Sequence, residues 1–356
     1  MPSESTHTLS TLPPCALRYH PVIPHIFLLG TYKLNESTKT RHGSIEVYQT
    51  DNIHTTIKLF EVPTESAILD LKFDPFNPRI FTTGHSTGEI RIWKFQDLDS
   101  KIEPIHTELI FEQDREEVLV TSVIYSQATQ GQLLITGTNG QAVLIQITTN
   151  GNISMTKYEE MITQHDLQCW TGIFGNLAEL SNVLFTGGDD ATLLAHDLRT
   201  QELIFKSDRL HNAGITALQT ATSGDPASDG RGDWFIDSPY KFFTGSYDDN
   251  IRELDLRCIP DTGLIPGIPP RTTQSLNLNG GVWRFQPSPV KGDNRLLICC
   301  MYDGARIFDS EKFEVQDYFK EKHESMVYGG DWDPMGRQGE VATCSFYDNV
   351  VHVWKS

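Results

Sequence analysis

Basic residues are scarce: 29 Lys and Arg face 47 Asp and Glu, a formal net charge of -18. A surface of that sign repels phosphate backbones and anionic lipid faces, which argues against nucleic acid and membrane as partners. The six cysteines, Cys15, Cys169, Cys258, Cys299, Cys300 and Cys344, include no C-x-x-C pair. That excludes a disulfide-stapled secreted fold and gives no ground for a zinc site, so reduced, buried thiols are expected. No apolar run approaches the roughly 18 residues a spanning helix needs. Residues 1–10 lack both the basic start and the apolar stretch of a secretory signal, so a cytoplasmic location is expected. Amphipathic helical periodicity of useful length is also missing.

What is present is a succession of short runs rich in Val, Ile, Leu, Thr and aromatics, closed by Gly, Asn and Asp, which reads as all-β. The runs repeat. Seven copies of a strand, a tight polar turn and a second strand centre near His42, Thr87, Asn139, Asp190, Asp248, Asp303 and Asp348, 45 to 58 residues apart. Six keep the same offset from turn residue to an aromatic, apolar or histidine position (Tyr48, Trp93, Ile145, His196, Leu254, Trp354), while the copy at Asp303 reaches Phe308 one residue early. Each copy supplies about four strands. These copies resemble WD repeats, most fully in His211, Ser246-Tyr247-Asp248 and Asp255. Residues 1–356 therefore read as a single seven-bladed WD-repeat β-propeller, because a lone four-stranded sheet cannot cover both its faces and stacked neighbours can. Two Pro/Gly-rich stretches, 223–239 and 259–270, lengthen the period and read as loop insertions in first-to-second or third-to-fourth strand connections.

Blade-opening histidines His165, His211 and His323 have an architectural explanation: a turn Asp accepts from the ring and from backbone N–H groups and locks the hairpin. The residue before the turn Asp does not. It is Asp189, Tyr247, Tyr302 and Tyr347 in four consecutive blades, and the opening segments add Asp166, Trp170, Trp283, Arg284 and Tyr328. Aromatic faces beside carboxylates suit a bulky cation, through cation–π and Coulomb attraction. Ahead of the turn, where Gly84, Gly137, Gly187 and Gly245 stand in other blades, the last two carry Cys300 and Ser345. Either is a candidate nucleophile if His323 or His165 lies within hydrogen-bond reach and Arg284 or a backbone N–H serves the oxyanion. No G-x-S-x-G elbow exists, which excludes an α/β-type hydrolase.

The phrases Gly187-Gly188-Asp189-Asp190, Gly280-Gly281-Val282-Trp283-Arg284, Ser325 to Trp332 and Thr343 to Asp348 together are similar to the WD-repeat diphthine methylesterase family of the diphthamide pathway. The likeness is dense from about residue 165 onward and looser before it, where Leu29-Gly30-Thr31-Tyr32 is the best anchor. It implies a carboxylic ester hydrolase that removes the methyl ester from methylated diphthine on translation elongation factor 2, giving diphthine and methanol. That substrate carries a trimethylammonium group. The expected site has Asp189, Tyr247, Tyr302, Tyr347, Trp170, Trp283 and Tyr328 binding substrate and Arg284 polarising the ester. The attack then falls to a water activated by His165 with Asp166, or to Ser345 with His323 as base. No cofactor or metal is implied, and a monomer is expected. The rival expectation is a non-catalytic scaffold whose rim aromatics anchor a protein partner.

Overall fold

A computed structural model describes residues 5–51, 55–97, 101–112, 117–149, 153–157, 161–223, 232–257, 265–334 and 339–356. The described residues contain no α-helix. Their strands form seven sheets of four or five strands, so the chain has the fold class of a seven-bladed β-propeller. Inner strands such as Val183–Gly188 are buried at every position. Outer ones such as Arg271–Asn277 are exposed at all but one. A strand covered on both faces takes a continuous apolar run and an outer strand does not, which is why the repeats show blocks of apolar residues more than clean alternation.

Two compact units are distinguished: residues 1–123, 297–308 and 315–356 form one, and 124–296 with 309–314 the other. In the first, strand Ser5–Leu9 pairs antiparallel with Val350–Lys355, from Ser5 opposite Trp354 to Leu9 opposite Val350. The order then runs through Glu340–Ser345 to Val327–Trp332, so the N-terminal segment completes the sheet that the C-terminal strands begin. Leu17, Phe27, Leu29 and Tyr48 pack with Ala342, Cys344, Val351 and Val353 in its core. His42 does not sit in a turn. It lies inside strand Arg41–Asp51, because Lys33–Leu34 pairs with Arg41 and His42 and carries the hairpin turn on to residues 35–40.

In the second unit the core gathers Phe185, Phe205, Ile215, Phe242 and Leu254. Residues 223–239 join strands Ile215–Thr220 and Lys241–Ser246, and residues 259–270 join Asn250–Asp255 and Arg271–Asn277; of these, 224–231 and 259–264 lie outside the described residues. Cys169, Cys299, Cys300 and Cys344 are buried and Cys15 is half-buried, while Cys258 lies outside the described residues.

Candidate functional site

The second unit assembles an aromatic cluster from two turns and two opening strands. Trp170 comes from strand Cys169–Phe174, Trp283 from Val282–Pro287, Tyr247 from the turn after Lys241–Ser246 and Asp189 from the turn after Val183–Gly188. Ring centroids are 5.7 Å apart for Trp170 and Trp283, 6.4 Å for Trp170 and Tyr247, and 5.9 Å for Tyr247 and Trp283. The indole Nε1–H of Trp170 donates to Asp189 Oδ1 at 2.9 Å, which fixes the ring and sets a carboxylate beside it. All four residues are half-buried. Gly214 makes this packing possible: a Cβ there would come within 2.8 Å of Asp189 Oδ1 and 3.0 Å of Tyr247. Arg284, next to Trp283 in the same strand, is also half-buried.

His165 is not free to act on a substrate. Its Nδ1 lies 3.0 Å from Asp190 Oδ1 and its Nε2 2.9 Å from Thr186 Oγ1, and the residue is buried. Burial opposes its protonation, but Cys169 and Asp190 outweigh that and lift its pKa to about 9. The expected pairing of His165 with Asp166 is corrected: its partner is Asp190. The Asp166 carboxylate is 84% exposed, with Lys206 Nζ at 3.8 Å, while its backbone N–H donates to Asp190 Oδ2 at 3.0 Å. His211 repeats the pattern, with Nδ1 3.1 Å from Asp248 and Nε2 2.8 Å from Thr244 Oγ1.

The last blade, in the first unit, departs from it. His323 Nδ1 meets Ser345 Oγ at 2.6 Å and its Nε2 meets Thr343 Oγ1 at 2.9 Å, while Trp354 donates to the same Thr343 oxygen at 3.1 Å. Burial and the nearby His352 push the His323 pKa well below its ordinary value, so the ring is neutral. The expected serine–histidine contact is therefore formed, but both residues are buried and the Ser345 hydroxyl is closed off inside the blade. Blade 2 builds the same chain with the two residues exchanged: Trp93 to Thr83 at 2.8 Å, Thr83 to His85 at 2.7 Å, His85 to Ser66 at 2.8 Å.

Two register expectations are corrected. Spacing from the turn puts Ser345 in the glycine position, but Ser345 pairs with Val327 as Ser246 pairs with Ile215, and Cys344 stands opposite Gly329 as Gly245 stands opposite Ala217. The hairpin from Cys344 to Val351 is one residue longer than that from Gly245 to Ile251, which displaces any count made from the turn. For the same reason Phe346, whose N–H donates to Met326 O, holds the place that Tyr247 holds with Gly214 O. Tyr347 lies one step further out, 74% exposed. Phe346 packs against Tyr32 at 5.9 Å and Tyr328 at 5.6 Å, a second aromatic group that spacing alone did not reveal. Burial, with Cys15 and Tyr347 nearby, pushes the Tyr328 phenol up to about 12. Tyr302 lies in the short 3-10 turn Met301–Asp303 and is half exposed.

No family model matches the chain. Curated relatives do. A Saccharomyces cerevisiae protein named diphthine methyltransferase is 36% identical over 96% of this chain and 95% of its own length. A Schizosaccharomyces pombe protein of the same name is 30% identical over 95% and 93%. A Dictyostelium discoideum diphthine methyltransferase homolog is 25% identical over 95% of each. Among solved structures, a chain from a crystal structure of the mitotic checkpoint complex superposes with a TM-score of 0.67 at 14% identity, covering all of this chain and 91% of that one. At that identity the likeness speaks for the fold alone. The yeast matches cover almost the whole chain and almost the whole of each relative, and on that footing the chain belongs to the diphthine methyltransferase family.

Proposed function

We propose that this chain is a carboxylic ester hydrolase acting on methylated diphthine of elongation factor 2 in the cytoplasm, releasing methanol and leaving the free carboxylate. The observation that carries the reading is the group of Trp170, Tyr247 and Trp283, three rings within 6.4 Å of one another with the Asp189 carboxylate hydrogen-bonded to one of them. Aromatic faces and an adjacent anion favour a quaternary ammonium, which carries charge but no N–H to donate. The family's name supplies the modified residue, and the cluster suits its cationic group.

The reaction is assigned to water, because Ser345 is sealed inside its blade. Asp166, exposed and held through its backbone by Asp190, takes the proton as the water oxygen attacks the ester carbonyl carbon. Arg284 faces the oxyanion of the tetrahedral intermediate. Collapse breaks the C–OCH3 bond, and the departing methoxide recovers the proton from Asp166. His165 serves as a positioning residue, acting on Asp166 through Asp190. Tyr302, Tyr328 and Tyr347 are assigned to contacts with the protein substrate.

The name the relatives carry favours a second reading, methyl transfer from a donor onto diphthine. One experiment separates the two. Elongation factor 2 carrying methylated diphthine is incubated with substoichiometric protein, and intact peptide mass and methanol are followed. Hydrolysis predicts multiple turnovers with methanol release and no methyl donor. A gain of methyl that requires a donor returns the transfer reading, and unchanged mass with tight binding returns the scaffold. On hydrolysis, Trp170→Ala raises KM about tenfold, the loss of roughly 1 to 2 kcal/mol of cation–π binding. Asp166→Asn lowers kcat about 100-fold.

A further inference from the structure

A second polar constellation lies in the first unit, at the opposite end of strand Glu340–Ser345 from Ser345. His25 comes from the turn between Pro14–Tyr19 and Ile26–Thr31, Asp333 follows Val327–Trp332, and Glu340 opens the next strand. His25 Nδ1 lies 2.9 Å from Asp333 Oδ2 and 3.6 Å from Glu340 Oε1, and one ligand atom of each residue falls within 4.8 Å of the other two. The two carboxylate side chains are 0% and 5% exposed. The ring nitrogen is buried and faces both carboxylates. The surroundings are built to hold the group. His25 N–H donates to Asp333 Oδ2 at 3.1 Å, and the hydroxyls of Thr50 and Tyr19 donate to Glu340 Oε1 at 3.2 Å and 3.5 Å.

We propose that His25, Asp333 and Glu340 bind a divalent transition-metal ion of the zinc class, which ties the first blade's turn to the closing sheet. One imidazole nitrogen with two carboxylate oxygens is a donor set for zinc or manganese, whereas calcium and magnesium favour all-oxygen cages. Three protein ligands leave a coordination position for water. The role is a clip between segments far apart in sequence, and the site does not depend on the reading of the aromatic cluster.

The test uses the full chain, stripped with a chelator and titrated with Zn2+ by calorimetry at pH 7.5. The expected result is saturable binding at one ion per chain, with a rise in Tm of several degrees at excess zinc. His25→Asn keeps a residue that tolerates the left-handed backbone at position 25, where φ is 61°. Glu340→Gln keeps the shape of the side chain. Each variant, once circular dichroism confirms its fold, binds Zn2+ about 100-fold more weakly and loses the Tm rise. Loss in either folded variant supports the clip. No saturable binding by the parent chain, or unchanged affinity in both variants, overturns it.

Discussion

Blades 5 and 7 set the same problem to different residues. In both, a buried histidine is held at Nε2 by a threonine hydroxyl, and the backbone N–H that follows the histidine donates to the turn aspartate: Asn212 to Asp248 at 3.0 Å, Glu324 to Asp348 at 2.8 Å. They part at Nδ1. Asp248 takes His211 directly and also accepts from Arg252 and from Asn250 N–H, so one carboxylate closes the whole turn. In blade 7 the longer hairpin moves Asp348 away from the ring, and Ser345 takes Nδ1 in its place. The lesson is that the histidine's demand is for a partner at Nδ1, not for a charge. A neutral hydroxyl meets it wherever the loop cannot deliver the carboxylate.

The comparison breaks most sharply at Asp248. Replacing it with Ala leaves His211, Arg252 and two backbone N–H groups without their acceptor, and about 3 to 5 kcal/mol of stability is expected to be lost, measured by urea unfolding. Next in size is a pH effect with opposite signs in different blades. His85 and His352 are buried neutral with pKa values held by burial at about 3 and about 4, below the ordinary 6.5. The unfolded chain therefore binds more protons than the folded one between those limits, and stability falls as pH drops from 6.5 toward 4. His165, at about 9, contributes stability that is complete below pH 6.5 and lost as pH rises through 9. Tm should thus peak near neutrality, and His165→Gln should flatten only the alkaline side. Ser345→Ala is smaller: it costs about 1 to 2 kcal/mol by leaving His323 Nδ1 unmet, and methanol release should persist. A dead but folded Ser345→Ala variant would move the attack from water to the serine. Smallest is Asp348→Asn, which touches one good backbone hydrogen bond and should cost about 0.5 kcal/mol.

These contrasts mark where sequence reading works. Blade number and strand content were legible because period and apolar blocks survive changes in loop length; Asp189 and Tyr247 stand in equivalent places because the hairpins of blades 4 and 5 are equally long, and Trp170 and Trp283 come to them from the opening segments. Ser345 and Tyr347 were misplaced by one residue because a count from the turn cannot see an extra residue in the hairpin. The relation of Gly329 to Cys344 is hidden for a related reason. A Cβ at Gly329 would lie 2.6 Å from Cys344 Sγ, so the small residue has moved to the neighbouring strand, and only pairing reveals the exchange. The His25, Asp333 and Glu340 group could not be seen at all, since His25 stands about 300 residues from the other two in sequence and no local spacing joins it to them.

The pairing of Ser5–Leu9 with Val350–Lys355 also bears on how the chain is made. Ser10 and Asn349 are bonded across 339 positions, so the first strand leaves the ribosome long before its partner exists. Throughout that interval it is an open β-edge, able to pair with any other strand it meets, including the same segment of a second nascent chain. Its exposed face is Ser5, His7 and Leu9 alternating with half-buried threonines, a polar composition that adheres weakly to strangers. The segment must remain idle during synthesis and dock last, and that delay accounts for how little hydrophobicity it carries.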